Sequence, residues 1–160
     1  MPQHIYFKTG DIVETQSDGY CLVLSQRQAK TSSTPLYHIW SYAKRRYLYH
    51  NQYNMAMRTN ANDKTISEAQ DISMKILSNE TRDAGYIKGD CVEYRNTPYL
   101  ILSAFRDIVG KPYYLVLNML TNTTQYIDQS EISFRVRQSN QKSKDLANKL
   151  LISRIIMPGF

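Results

Sequence analysis

Two stretches of this 160-residue chain repeat each other, and the duplication limits what the chain can fold into. The segment FKTGDIVETQSDGYCLVLS returns as YIKGDCVEYRNTPYLILS. A position filled alike in both copies serves the shared fold, whereas a feature found in one copy is a candidate for function. Identical residues lie 79 positions apart at first, and one and then two fewer further on. The pairs are Gly10/Gly89, Asp11/Asp90, Val13/Val92, Glu14/Glu93, Tyr20/Tyr99, Leu24/Leu102, Ser25/Ser103, Pro35/Pro112, Tyr37/Tyr114, Tyr49/Tyr126 and Gln52/Gln129.

Each copy predicts five short strands separated by polar turns. A Gly-Asp pair starts the first strand, since glycine permits a positive φ and aspartate bonds neighbouring backbone amides. The second strand, YCLVLS or YLILS, is apolar almost throughout, which is typical of a strand buried on both faces. Later strands begin near Leu36 and Tyr113, centre on Tyr49 and Tyr126, and end with NMAMR or ISFRV. This pattern predicts a strongly bent, partly open antiparallel barrel in each copy.

The arrangement KxGDxV, a buried strand ending in Leu-Ser, a loop, Pro-x-Tyr and a closing tyrosine strand resembles Src-homology-3-like small barrels. KOW and Tudor modules and short barrels of bacteriophage-encoded proteins are among these relatives. The resemblance covers residues 8–58 and 87–137. It implies a mainly β fold of two tandem five-stranded Src-homology-3-like barrels, with a connecting helix and a C-terminal helix. The first-turn glycine of the KOW pattern is Gly19 in copy one, whereas copy two has Pro98. Such barrels usually bind through loops or strand faces, so the resemblance implies no chemistry of its own.

Four segments follow from the duplication, and helices are expected outside the two modules. In the connector, TISE at Thr65 has capping-box spacing, and apolar residues follow at helical intervals: Ile66, Ala69, Ile72, Met74, Ile76 and Leu77. After the second module, Leu146, Ala147, Leu150 and Leu151 predict another helix, and Pro158-Gly159 should end it. The predicted segments are module one at 1–60, a helical connector at 61–85, module two at 86–138 and a C-terminal helix or tail at 139–160.

The formal net charge of +6 is unevenly distributed along the chain. The net charges of residues 1–60, 61–86, 87–137 and 138–160 are +4, −2, +1 and +3. A positive surface attracts nucleic acid, anionic membrane or an acidic protein, and charge alone does not choose among them. No run reaches the roughly 18 apolar residues of a membrane helix, and the first residues lack a signal-peptide core. We therefore expect a soluble protein made in the cytoplasm, without membrane insertion.

Catalytic and metal-binding motifs are missing from the sequence. The histidines at 4, 38 and 50 lack metal-ligand spacing, and both Cys21 and Cys91 fall on apolar strand positions. We interpret the cysteines as apolar fillers, with a disulfide or metal role as the alternative. Asp11 and Glu14, like their copies, fall on opposite faces of a strand, so a turn role for the aspartate is favoured over paired acids. We predict no enzyme activity, no cofactor and no metal.

The feature of module one with the least counterpart in module two is the segment 42–53, YAKRRYLYHNQY. Its hairpin tip is basic and is flanked by aromatic rings, whereas the equivalent tip 121–124 is neutral. Basic groups beside exposed rings can neutralise phosphates while the rings stack on bases. Protein contact and a simply solvated turn are the alternatives. The interaction candidates, including the basic tail, are Tyr42, Lys44, Arg45, Arg46, Tyr47, Tyr53, Lys142, Lys144 and Lys149.

Taken together, these features favour a non-enzymatic structural or adaptor protein that contacts other protein subunits. Tyrosine is abundant, with 13 residues against 4 phenylalanines, and interfaces are enriched in tyrosine and arginine. The expected setting is a bacteriophage virion (neck, tail or capsid-associated) or its assembly, with synthesis in the host cytoplasm and a potential to form oligomers. The alternative is a nucleic-acid-binding regulator that uses the basic tip of module one and the basic tail.

Overall fold

The structure is a computed structural model that describes residues 7–27, 36–78 and 85–156. The chain divides into two compact units, Met1–Met74 and Lys75–Phe160. Each unit contains a five-stranded antiparallel sheet, so the protein is mainly β, as predicted from the strand pattern. The predicted stop of the second helix at Pro158-Gly159 lies outside the described residues.

The sheet of the first unit has the strand order β4-β3-β2-β1-β5. Alternating or continuous apolar residues explain each strand, because inward-facing positions form the core. The strands are β1 (Ile12–Thr15), β2 (Gly19–Arg27), β3 (Leu36–Ser41), β4 (Arg46–Asn51) and β5 (Met55–Thr59), with a 3₁₀ turn at Gln52–Asn54. The core cluster includes Phe7, Val13, Cys21, Val23, Tyr37, Ile39 and Met55.

The sheet of the second unit repeats this order as β9-β8-β7-β6-β10. Its strands are β6 (Cys91–Tyr94), β7 (Thr97–Arg106), β8 (Pro112–Asn118), β9 (Thr124–Asp128) and β10 (Phe134–Arg137), with a 3₁₀ turn at Gln129–Glu131. Its core cluster is Val92, Tyr94, Tyr99, Ile101, Ala104, Tyr114, Val116, Ile127 and Ile132. The two sheets therefore have the same topology, which the sequence repeat predicted.

Even the irregularities of the two sheets are repeated. The β2–β3 register shifts between Val23 and Ser25, and the β7–β8 register shifts between Ile101 and Ser103. A second shift recurs between β1 and β5 and between β6 and β10. Bulges of this kind bend a strand and increase its twist, and their repetition shows that these irregularities belong to the shared fold.

The first hairpin corrects the sequence alignment of the two copies. Val13 pairs with Cys21, whereas Val92 pairs with Tyr99, so Tyr99 corresponds to Cys21 and not to Tyr20. The hairpin of unit one has three residues between Thr15 and Gly19, and that of unit two has only Arg95 and Asn96 between its strands. Both of these two residues have positive φ, as a two-residue hairpin turn requires. Pro98 therefore does not replace the turn glycine.

The Gly-Asp pair performs the same structural task in both units. Gly10 and Gly89 have φ of +94° and +93°, which confirms the predicted turn. Asp11 accepts hydrogen bonds from the amides of Lys8 and Ala61, at 2.7 and 2.8 Å. Asp90 accepts them in the same way from Ile87 and Ser139, at 3.0 and 2.7 Å. Each carboxylate thus joins the turn before the first strand to the segment that leads into the following helix.

The first helix, α1 (Asp63–Ser78), confirms the predicted helix but begins two residues before Thr65. Asn62 is its cap, since its side chain accepts from the Thr65 amide at 3.0 Å and its own amide donates to the Thr65 hydroxyl at 2.9 Å. Ala69, Ser73 and Ile76 are buried, whereas Met74, which was predicted on the apolar face, is exposed.

The second helix, α2 (Gln141–Leu150), continues as a π-helical segment, Leu151–Ile156. Asn140 caps it through Ser143 with the same reciprocal pair of bonds, at 2.8 and 2.9 Å. Its buried face follows one line of the helix, formed by Ala147, Leu151 and Ile155. Leu146, predicted to belong to this face, is exposed. Both units therefore end in a helix capped by asparagine.

Candidate functional site

The hairpin tips at residues 41–46 and 118–123 have equivalent backbone hydrogen bonds and a positive φ at the same position. The Arg45 amide donates to the Ser41 carbonyl at 2.8 Å, and the Asn122 amide donates to the Asn118 carbonyl at 2.8 Å. Arg45 and Asn122 both have positive φ, of +49° and +63°. The Ser41 hydroxyl and the Asn118 side-chain oxygen also accept equivalent amides, both at 3.1 Å. Any functional difference between the tips must therefore come from their side chains.

Those side chains give the two tips different surfaces. The tip of unit one exposes Lys44 and Arg45, whereas the tip of unit two exposes Met119 and Leu120. The Leu120 side chain is 74% exposed although Asn118 holds the backbone around it. Adjoining exposed apolar side chains are one mark of a binding surface.

Asp18 organises the tip of unit one. Its carboxylate accepts from Lys44 Nζ at 2.7 Å and from Ser17 Oγ at 2.9 Å, and it lies 2.5 Å from His50 Nε2. Its carbonyl accepts from Ser41 Oγ at 2.7 Å. Although buried, this aspartate is therefore fully bonded, and it ties the β1–β2 turn to the tip between β3 and β4 and to His50 near the end of β4. It occupies the extra turn residue that unit two lacks.

The ionisation of Asp18 reflects these contacts. Burial raises the pKa of a carboxyl group, but the hydrogen bonds from Lys44, His50 and Ser17 outweigh burial here and hold the pKa below its ordinary value of 3.8. The carboxylate is consequently charged at neutral pH. Since Lys44 shares this charge, only part of its positive charge is available to an outside anion.

The aromatic candidates beside the tip lie in three different environments. Tyr47 is buried, its hydroxyl donates to the Ile72 carbonyl at 2.8 Å, and its ring meets Trp40 at 4.7 Å between centroids. The Tyr42 hydroxyl donates to Glu68 at 3.0 Å, and burial together with that bond raises its pKa. Tyr53 is 75% exposed on the 3₁₀ turn. The rings thus do not form one stacking surface around the basic tip, because α1 engages two of them.

Tyr53 instead borders an open polar depression of about 700 Å³ beside the β1–β2 turn. Glu14, Ser17, His50 and Arg58 also line it. Arg58 pairs with Glu14, and His50 with Asp18, so the charged groups at its wall are already satisfied within the unit. The depression adjoins the Asp18 cluster.

The basic tail is helical and exposed. Lys142, Lys144 and Lys149 all lie on α2 with exposed side chains. Lys142 and Lys149, seven residues apart, share one side of the helix, whereas Lys144 points about 160° away. These lysines therefore do not form one stripe. Arg46, at the start of β4, is half-buried.

Both cysteines and His38 lie in strands of the two sheets. Cys21 and Cys91 are both free thiols and buried, and burial raises the pKa of Cys21 to about 11. Within residues 7–27, 36–78 and 85–156, no three His, Cys, Asp or Glu side chains cluster as metal ligands would. His38 is buried in β3 and stacks on Tyr49 at 4.9 Å. No helix in the same ranges is long and apolar enough to cross a membrane.

Sequence reasoning missed two features of the site. Asp18 appeared as an ordinary turn residue, and its partners come from 26 and 32 positions away, so no local signal could reveal the cluster. The exposure of Met119 and Leu120 was not predicted, because an apolar pair directly after a strand looks like a continuation of that strand. Comparing the two copies tip by tip would have found the second feature, since the aligned residues of copy one are Tyr42 and Ala43.

Searches with this chain against protein-family profiles, curated proteins and solved structures find no match.

Proposed function

We propose that this chain is a non-enzymatic adaptor whose second unit binds another protein through the apolar tip. The observation that carries the proposal is Leu120, which is largely exposed on a turn that Asn118 holds in place. Met119 lies beside it and is also exposed. Ordered apolar side chains at a protein surface favour protein contact, because burial there gains transfer free energy with little loss of backbone entropy.

Comparison of the two tips, which share their backbone hydrogen bonds, supports this assignment. The tip of unit one has a charged side chain where that of unit two has Thr121, and its exposed tyrosine hydroxyl is bonded to Glu68. We propose accordingly that unit one supplies a stable, solvated tip and that unit two supplies the contact. In the finer fold assignment we propose, each sheet bends into an open Src-homology-3-like barrel, for which the shared strand order and bulges are the support. A bacteriophage virion or its assembly is the setting we propose, on the sequence resemblance alone.

Retention of a partner by tagged protein tests the proposal. Wild-type chain is immobilised in native lysate beside a Met119→Ser/Leu120→Ser variant and a matched control, Val109→Ser. Val109 is 72% exposed on the β7–β8 turn, so this control removes a comparable apolar group elsewhere in unit two. We expect the tip variant to lower partner retention by about tenfold or more, as loss of a central apolar anchor does. Equal retention by all three proteins, or no retained protein at all, would overturn the proposal.

A second candidate function, nucleic-acid binding, is favoured by the exposed cations Arg45, Lys142, Lys144 and Lys149. The separation of the lysines around α2 and the engagement of Lys44 by Asp18 weaken it. Binding of this kind should fall steeply with salt, and replacing three phosphate-contacting residues should reduce the slope of log K against log salt by about one per lost contact. Titration of labelled single-stranded and duplex DNA at low salt measures this, and no binding there removes the candidate.

A further inference from the structure

The edge strand β10 of unit two exposes every one of its side chains. All four of its residues, Phe134–Arg137, have exposed side chains, and Phe134 and Val136 are 52% and 53% exposed. Among the described strands β10 pairs only with β6. A strand with one neighbour turns part of its backbone N–H and C=O groups away from the sheet, where they can pair with another chain.

The equivalent strand of unit one shows what a protected edge looks like in this fold. β5 carries the same register shift as β10, which places Arg58 at the position of Val136 and Ala56 at that of Phe134. Arg58 bonds to Glu14, so a charged pair lies on that edge. Charged side chains on edge strands discourage pairing with other chains. β10 also carries charged residues, Arg135 and Arg137, but at the positions of Ala56 and Arg58 it exposes the apolar side chains of Phe134 and Val136.

The charges around β10 indicate what its partner carries. Arg137 is exposed at the end of the strand, and the exposed lysines Lys142 and Lys144 follow in the first turn of α2. Arg135 is exposed in part but is held by Asp90 and by the Gly85 carbonyl. Besides Asp90, Glu93 pairs with Phe134 at the beginning of the strand, and Glu131 lies in the turn that precedes it. The edge is therefore apolar where it starts and basic where it ends.

We propose that β10 accepts an extended, acidic segment of a partner protein as an added strand. Backbone hydrogen bonds supply the binding, and alternate side chains of the segment contact Phe134 and Val136. Acidic residues of the segment meet Arg137, which is exposed at the end of the strand. This inference rests on the proposed adaptor function and adds to it the chemistry of the partner and the place where it binds.

The probe is a labelled peptide of about eight residues in which Val and Glu alternate. Its length is within the range typical of strands, about 3–10 residues. We expect saturable binding to the full chain by fluorescence anisotropy, together with slower amide hydrogen exchange within Phe134–Arg137. A peptide that alternates Val and Lys should bind about tenfold or more weakly because its charges oppose Arg137. A Val-Glu peptide with alternate backbone amides methylated should not bind, since it cannot complete a strand ladder.

Matched variants locate the site. Phe134→Asp should weaken binding of the Val-Glu peptide by about tenfold or more, whereas Val109→Asp, an equal change on the β7–β8 turn, should leave it unchanged. Arg137→Glu should reverse the preference between the Glu and Lys peptides, and this readout does not depend on global stability. Equal binding of methylated and unmethylated peptides, or no effect of Phe134→Asp and Arg137→Glu, would overturn the proposal.

Two further outcomes separate this inference from the adaptor function. If the chain forms a dimer that Phe134→Asp dissociates, as light scattering would report, a second copy occupies the edge and the acidic-segment proposal fails. If the lysate partner lost by the Leu120 tip variant is fully retained by Phe134→Asp, strand addition fails while the adaptor function stands. If the peptide binds but no lysate partner depends on Met119 and Leu120, contact through the tip fails while strand addition stands.

Discussion

The tips at residues 41–46 and 118–123 have nearly the same backbone hydrogen bonds, yet one surface is basic and the other apolar. The difference originates partly outside the tips, because the three-residue turn of unit one places Asp18 beside Lys44 and His50. The two-residue turn of unit two has no such carboxylate. A single inserted residue in one hairpin thus allows a charged side chain to be fixed on a neighbouring hairpin. The fold therefore tolerates different tips, and the two tips differ in the side chains that they expose.

The largest expected effect tests what the two units share. A Cβ at Gly10 would lie 2.8 Å from Ile66 Cγ1 and 3.0 Å from the Ile66 amide, and one at Gly89 would lie 2.7 Å from Ser143 Oγ and 3.1 Å from the Lys144 amide. Gly10→Ala and Gly89→Ala should each lower the free energy of unfolding by about 2–5 kcal/mol, through positive φ and crowding of the following helix. Urea denaturation of each variant measures this.

Gly110→Ala is the matched control for this prediction. Gly110 has φ of +87° but nothing lies within 4 Å of its would-be Cβ. It should therefore show the backbone cost alone, about 1–2 kcal/mol. If all three variants are equally destabilised, contact between the Gly-Asp turn and the helix is not what requires glycine at positions 10 and 89.

An intermediate effect should distinguish the units. Asp18→Asn should destabilise unit one by about 1–3 kcal/mol, because it leaves Lys44 and His50 without their buried partner. The native pKa of Asp18 is lowered, so its contribution is complete above its unfolded pKa, near 3.8, and is lost as the pH falls through the lower native value.

Urea unfolding monitored between pH 6 and pH 2 checks both parts of this prediction. The wild-type chain should lose more stability than Asp18→Asn below about pH 4, where the unfolded carboxyl group takes up its proton. Parallel curves for the two proteins would show that the Asp18 cluster does not stabilise the folded state through its charge.

The smallest expected effect compares the positive-φ residues of the two tips. Arg45 pays a conformational cost at φ of +49° that Asn122 largely avoids at +63°, since asparagine tolerates this region better. Arg45→Gly should therefore stabilise the chain by up to about 1 kcal/mol, and Asn122→Gly should change it by a few tenths at most. Thermal unfolding of both variants gives the measurement. A loss of stability in Arg45→Gly would mean that the arginine side chain makes contacts that offset its backbone strain.

Much of the fold was predictable because the sequence repeats itself. The first strand of each copy, the Gly-Asp turns and the 3.6-residue periodicity of α1 are local signals, and the structure confirms them. Some details of the helices were wrong. The cap of α1 lies at Asn62 because its side chain reaches the Thr65 amide, and Leu146 faces solvent because Ala147 and Leu151 take the buried line of α2.

The candidate site was far less predictable than the fold. The basic tip was identified from composition, but α1 binds Tyr47 and Tyr42 through Ile72 and Glu68, which no local pattern indicates. The position of β10 at the sheet edge depends on which strands pair with it. The segment ISFRV alternates like a half-buried strand, so its exposure could not be predicted from the sequence.

The sequence by itself determined that two copies of one small β module are present, because identical turn residues and alternating apolar positions specify strands through local sterics and burial. Only the tertiary structure decided which side chains are buried, paired or displayed. The buried carboxylate of Asp18 contacts Lys44 and His50, which lie far from it in the chain. Such contacts depend on how strands pair and helices pack, which a local pattern of residues does not encode.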